Sequence, residues 1–309
     1  MKSDVDALHA LEEKLPNWAR SDEWSVTPVV GGLSNQNWKL YNGRQAYFVK
    51  QFAAGSDAFI DRKASAKAQY RAEKLGLAPH LVQQDRETGI EISVFLEGYR
   101  PSRSVDFLRD DFLFSAVDIY RRFNTAPPLS NTKHIFEMTD EHLVQGRELK
   151  PILPAAFDSL LTKYGQAKAA FMASGLDLAP CHNDPMPGNF MVHMSDQDHR
   201  LLDMKMVDYE FASNNERAYE LGVFLGEVFV DEQRSQALIE AYYGVYRDAL
   251  FARVQVARAV ADFKWGCWAI QQRQRTSWDF DYQKYGIWKF ARARALFEDD
   301  RWEKWLSRL

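Results

Sequence analysis

Residues 181–192 read CHNDPMPGNFMV, a polar, proline-broken stretch that returns to an apolar run at its end. Two prolines and a glycine forbid a helix through the stretch. The tripeptide His182-Asn183-Asp184 is too polar to serve as core filling. The segment is expected as a rigid polar loop held between ordered segments, the kind of position from which folds present functional groups.

Around this loop the chain changes character twice. WSVTPVV, QNWKLY and AYFVKQF are short β-branched and aromatic runs, and the last two are joined by Asn42-Gly43, a strong hairpin signal. GGLSN, residues 31–35, lies between the first two runs. A second hairpin is expected over 81–96, turning at Glu87-Thr88-Gly89, and 58–75 is helical in composition and closed by Gly76. A short amphipathic helix capped by Ser3 is expected over 3–15. From Ser104 the pattern is mostly helical, with helices expected over 111–123, 139–148, 155–173, 216–229, 232–249, 251–273, 281–297 and 299–308. The exceptions are FMVHM and RLLDMKMVDYEF, two short strands around the turn SDQDH. The pattern is that of an α+β chain with two lobes. Residues 1–98 form a small β-rich N-terminal lobe, and 99–309 form a larger, mainly helical one.

Composition excludes several classes. A net charge of −4 argues against nucleic acid as the main partner. No apolar run has the length of a membrane span, and MKSDVDALHALEEK lacks the apolar core of a signal peptide. The two cysteines, Cys181 and Cys267, form neither a disulfide framework nor a metal pattern. A soluble, cytoplasmic protein is expected, and the sequence leaves its oligomeric state open.

The loop spells His182-x-Asp184-x4-Asn189, and Asp208 follows at the end of the second short strand, within VDYEF. Singly, these residues read as a structural histidine, a turn asparagine and a strand-end cap. As an ordered set they have a specific use in phosphoryl transfer. One carboxylate orients the attacking hydroxyl, while an Asn and a second carboxylate hold Mg²⁺ on the nucleotide phosphates.

HNDPMPGNFMV followed by MVDYEFASNNERAYELGVFLGE resembles the paired motifs of the choline/ethanolamine kinase family, within the wider group sharing the aminoglycoside-phosphotransferase and protein-kinase-like fold. FKWGCWAIQQ, residues 263–272, resembles that family's Trp-Gly-x-Trp helix. The resemblance implies a two-lobed kinase-like fold that uses ATP and Mg²⁺. It implies Asp184 as catalytic base, His182 as a brace for the loop, Asn189 and Asp208 as magnesium ligands and Glu210 as a supporting acid at the metal. Gly31, Gly32, Ser34 and Asn35 would belong to the loop over the nucleotide phosphates, and Lys50 would reach those phosphates. Two departures stand out. Ser65 occupies the place where kinase-like folds put a glutamate for that basic residue, with Glu73 further along the helix. Glu232 stands near where the family places an aromatic.

Trp265 and Trp268 lie three apart on an expected helix, hence on one face. Such a pair is more often core than ligand site. Phe280 and Tyr285 follow in a segment able to fold back over the same face. A quaternary ammonium is held by aromatic faces with a nearby carboxylate. Glu227 and Glu232 are the candidate counter-charges for such a site, and the resemblance places Trp265, Trp268, Phe280 and Tyr285 on the family's cage positions. Trp278, Trp288, Trp302 and Trp305 are expected to be packing residues. The function implied is phosphorylation of the hydroxyl of choline or a close amino alcohol. Ethanolamine, thiamine or an aminoglycoside are alternative acceptors, and a catalytically inactive kinase-fold binding protein is the alternative outside enzymes. A metal-dependent phosphohydrolase would need more His or Asp ligands than this region offers.

Overall fold

The computed structural model describes residues 11–21, 23–29, 35–52, 60–85, 87–149, 151–275 and 280–309. The helix expected over 3–15 falls mostly outside these residues, as do Gly31, Gly32, Ser34 and Trp278. The chain divides into two compact units, Met1–Arg100 with Met191–Phe211, and Pro101–Phe190 with Ala212–Leu309. A single boundary was expected at 98/99. In this grouping the hairpin after the polar loop, residues 191–211, joins the β-rich unit.

The first unit is built on β1 (Ser25–Pro28), β2 (Asn35–Tyr41), β3 (Ala46–Phe52), β4 (Leu81–Asp85) and β5 (Ile90–Val94), in the order β1-β2-β3-β5-β4. Neighbours are antiparallel throughout. The Asn42-Gly43 turn forms as expected. Asn42 Oδ1 accepts the amides of Arg44 and Gln45 at 3.0 and 2.8 Å, and Gly43 takes the positive φ of 85° that the turn requires. Trp38, Leu40, Val49, Ile90 and Ile92 alternate inward along the strands and bury against Leu11 and Leu15. Helix α1 (Arg62–Lys74) starts where Asp61 Oδ1 accepts the Ala64 amide at 3.0 Å.

Five further strands, β6 (Tyr99–Pro101), β7 (Leu178–Cys181), β8 (Phe190–Met194), β9 (Leu201–Met206) and β10 (Ser213–Glu216), make two small sheets, β6-β8-β9 and β10-β7. Apart from β7 and β10, the second unit is largely helical: α2 (Asp110–Asn124), α3 (Ile135–Leu149), α4 (Phe157–Ser174), α5 (Arg217–Glu227), α6 (Glu232–Tyr243), α7 (Asp248–Arg275), α8 (Tyr282–Phe297) and α9 (Trp302–Leu306). The helix expected over 232–249 stops at Tyr243, because Gly244 adopts φ 75° and caps it. α7, 28 residues long, is the spine against which α3, α5 and α8 pack. No described helix is long and apolar enough to cross a membrane.

Candidate active site

The polar loop leaves β7 at Cys181, and its first residues are held from below by a buried carboxylate. β7 pairs antiparallel with β10, Cys181 opposite Ser213, which brings the start of α5 beneath the loop. Glu220 on α5 is fully buried and accepts the backbone amides of His182 and Asn183 at 2.6 and 2.9 Å. Asn124 Nδ2 adds a third donor at 3.3 Å. Burial pushes the Glu220 carboxyl above its ordinary range, and the neighbouring His182 and these donors work against that shift. Asn183, at φ 69°, bonds Ser213 Oγ through Nδ2 at 2.8 Å and receives Asn215 Nδ2 at 2.9 Å. His182 is fully buried, and its Nδ1 accepts the Asp184 amide at 3.3 Å, a contact within the loop itself. Asn189 Nδ2 reaches back to the carbonyl and the Oδ2 of Asp184, at 3.0 and 3.1 Å. The loop therefore presents Asp184 and Asn189 side by side on a base that cannot easily shift.

In the first unit, Lys50 on β3 donates to Asp208 Oδ1 at 2.5 Å and lies 4.0 Å from Glu210 Oε2. Burial alone would lower the Lys50 pKa. Asp208, Glu210 and Glu91, the last directly opposite on β5, outweigh burial and hold it raised. Glu210 Oε2 also accepts Asn35 Nδ2 at 3.0 Å and lies 3.7 Å from Arg62 on α1. Burial raises the Glu210 carboxyl, and the neighbouring Asp208 charge raises it further. This answers the question posed by Ser65. The acids that partner Lys50 come from 208–210 and β5, while α1 contributes an arginine, its guanidinium 3.5 Å over the Phe52 ring. Glu210, expected as a supporting acid at a metal, is buried among Lys50, Arg62 and Asn35. Asp208 keeps about a quarter of its side chain exposed, at 26%.

On the second unit the aromatic residues converge. Trp265 and Trp268 have ring centroids 5.3 Å apart, Trp268 and Tyr285 6.3 Å, and Phe280 and Tyr285 5.8 Å. Trp265 is buried, whereas Trp268, Phe280 and Tyr285 are partly exposed. The glycine between the tryptophans has a steric purpose. A Cβ on Gly266 would lie 2.8 Å from the Phe290 ring, so its absence lets α8 approach α7 and bring Tyr285 to Trp268. Tyr282, not anticipated, completes the cluster 4.9 Å from Phe280 and 5.8 Å from Trp268.

The expected counter-charges differ. Glu227 is engaged by Lys289, with Arg292 at 3.6 Å, so its charge is already partly balanced within the protein. Glu232, at the start of α6, is exposed and bonded by Arg301 at 2.9 Å, and both line a cleft with Phe229, Arg258, Asp262 and Arg292. Trp302 and Trp305 are buried as expected, but Trp288 is 54% exposed and lies tilted against Phe229, ring centroids 6.1 Å apart. Reading the sequence missed Glu220, Asn124 and Lys264. The one available signal for Glu220 was a single acid inside the apolar run AYELGVFLG, where an unpaired charge would be prohibitively costly.

A β-sheet unit carrying a buried lysine–carboxylate pair, and a helical unit carrying a braced Asp–Asn loop, together define a small-molecule phosphotransferase of two-lobed, kinase-like fold. The match of residues 25–258 to the Phosphotransferase enzyme family shows that the chain belongs to that family. It is similar to the choline/ethanolamine kinase of Rattus norvegicus, 24% identical over 88% of this chain and 80% of that one. Among solved structures it resembles a choline/ethanolamine kinase family protein from Mesorhizobium loti, with TM-score 0.80, 24% identity and 98% of each chain covered. It also resembles a choline kinase from Streptococcus pneumoniae, with TM-score 0.78, 20% identity, and 94% of this chain and 99% of that one covered.

Proposed function

We propose that this protein transfers the terminal phosphoryl group of ATP to the hydroxyl of choline or a closely related amino alcohol. The observation that carries the reading is the cluster of Trp265, Trp268, Phe280 and Tyr285, assembled in the same unit as the Asp184 loop. Aromatic faces hold a methylated ammonium that has no strong hydrogen bond to give. Asp184 orients the acceptor hydroxyl and takes its proton, held in place by His182, Asn189 and, through the backbone, Glu220. Asn35 and Lys50 serve the nucleotide, together with the glycine-rich loop before Asn35.

The donor set suits magnesium. Asn189 commits its amide nitrogen to Asp184, leaving a carbonyl oxygen, and Asp208 is a partly exposed carboxylate; both are the hard oxygen donors this ion prefers. Asn189 and Asp208 would hold the ion, and Glu210 would orient Lys50. When bound, Mg²⁺ neutralises charge on the phosphates during transfer. ATP as donor fits the cytoplasmic setting expected from the sequence. Ethanolamine is the second reading, supported by the shared name of the rat relative.

A panel of choline, ethanolamine, thiamine and an aminoglycoside, read as ADP release with ATP and Mg²⁺, tests the assignment. Choline is expected to be preferred, and Trp268→Ala to raise its KM about tenfold, as the loss of ~1–2 kcal/mol of cation–π attraction requires. An unchanged choline-to-ethanolamine ratio in a folded Trp268→Ala protein would return the cluster to a packing role.

A further inference from the structure

The aromatic cluster already contains a cation. Lys264, 3% exposed on α7, sets its Nζ 3.2 Å over the ring of Trp265. That is the geometry by which an aromatic face holds an ammonium ligand. We infer that Lys264 is a specificity-determining residue that competes with the acceptor's positive charge for the Trp265 face, so that a permanently cationic acceptor binds well only once Lys264 is neutral or displaced. The inference rests on assigning this cluster to the acceptor.

The surroundings make such a competition adjustable. Burial lowers the Lys264 pKa to about 7, Lys133 from the segment before α3 adds to the lowering, and Asp184 and Cys267 oppose it. His142 of α3 is another titratable neighbour. Burial and then the Lys264 charge push it down to about 3, so it stays neutral through the range in which Lys264 titrates. Below about pH 7 the Lys264 ammonium repels choline, and above it the neutral amine does not. Choline affinity should therefore rise with pH through that point. A neutral acceptor of the same shape should show no such dependence.

The test is calorimetric binding of choline and of its uncharged carbon isostere, 3,3-dimethylbutan-1-ol, to the full chain on either side of about pH 7. In the wild type, choline should bind about tenfold more tightly one pH unit above that point than one unit below it, as neutralising a competing charge requires, with the isostere unaffected. In Lys264→Met, choline should bind about tenfold more tightly on the acid side and lose its pH dependence, again with little change for the isostere. On the acid side, an equal choline-to-isostere ratio in wild type and Lys264→Met would overturn the inference, as would equal effects on both ligands, which mark a packing role. If Lys264→Met does not fold, Lys264→Gln and the wild-type pH comparison decide the same point. A wild type that binds nucleotide but neither acceptor, and releases no ADP with them, would defeat the amino-alcohol reading and this inference with it. A wild type that binds choline with no pH response defeats this inference alone.

Discussion

Replacing Glu220 should damage both stability and turnover, by an amount the geometry specifies. Its Oε2 accepts the His182 amide at 2.6 Å and Asn124 Nδ2 at 3.3 Å, and its Oε1 accepts the Asn183 amide at 2.9 Å. All three partners are donors. Glu220→Ala strands two buried backbone N–H groups at ~1–3 kcal/mol each. Relief of the buried charge works in the opposite direction, so a net loss of about 3 kcal/mol is expected. Glu220→Gln keeps the shape but has one carbonyl oxygen, so its amide nitrogen must face a donor. A loss of ~1–3 kcal/mol should follow from the single unsatisfied N–H. Urea unfolding at neutral pH measures both. In the fraction that stays folded, kcat should fall by ~10-fold or more, because an ångström's drift of Asp184 is enough to do so, while the KM for ATP changes less. If Glu220→Ala unfolds within ~0.5 kcal/mol of wild type and keeps its kcat, the brace has no mechanical importance and the reasoning fails.

Asp184→Asn should retain fold and nucleotide binding but lose ~10²–10⁴-fold in kcat, since the amide cannot accept the hydroxyl proton; near-normal turnover removes Asp184 from the chemistry. Asn189→Ala and Asp208→Ala should each weaken magnesium-dependent nucleotide binding, and their double variant should lose less than the sum, because two ligands of one ion do not act independently. Strict additivity would sink the shared-ion assignment. Gly266→Ala forces a methyl against the Phe290 ring and should cost ~1–3 kcal/mol by overpacking, with a raised acceptor KM as Tyr285 moves from Trp268; a wild-type melting temperature would show that the helices separate freely.

Much of this organisation was legible in the sequence because it rests on local rules. The Asn42-Gly43 turn, the Asp61-capped helix and the Pro-Gly loop are each specified within a few residues. Convergence of the aromatics was legible for the same reason, since i, i+3 spacing fixes Trp265 beside Trp268. What stayed hidden depends on partners far away in the chain. The helix expected from residue 139 begins at Ile135, whose amide is taken by Asn215 Oδ1 at 2.7 Å, a contact across 80 positions. The absent glutamate of α1 looked like a loss of the Lys50 partner until residues 208–210 were found to supply the acids. The engagement of Glu227 by Lys289 and Arg292, more than 60 residues on, was likewise out of sight. Charge pairing of buried groups has no sequence period, so composition and spacing do not reveal it.

The most direct measurement of the central claim is phosphorus NMR of the reaction products. The protein, ATP, Mg²⁺ and choline should yield ADP and a phosphomonoester on the choline oxygen in equal amounts, with little free phosphate, and Asp184→Asn should abolish both. Inorganic phosphate without the monoester would make the protein a hydrolase. Unchanged ATP with every acceptor of the panel would make it a binding protein on a kinase fold, and either outcome would contradict the account.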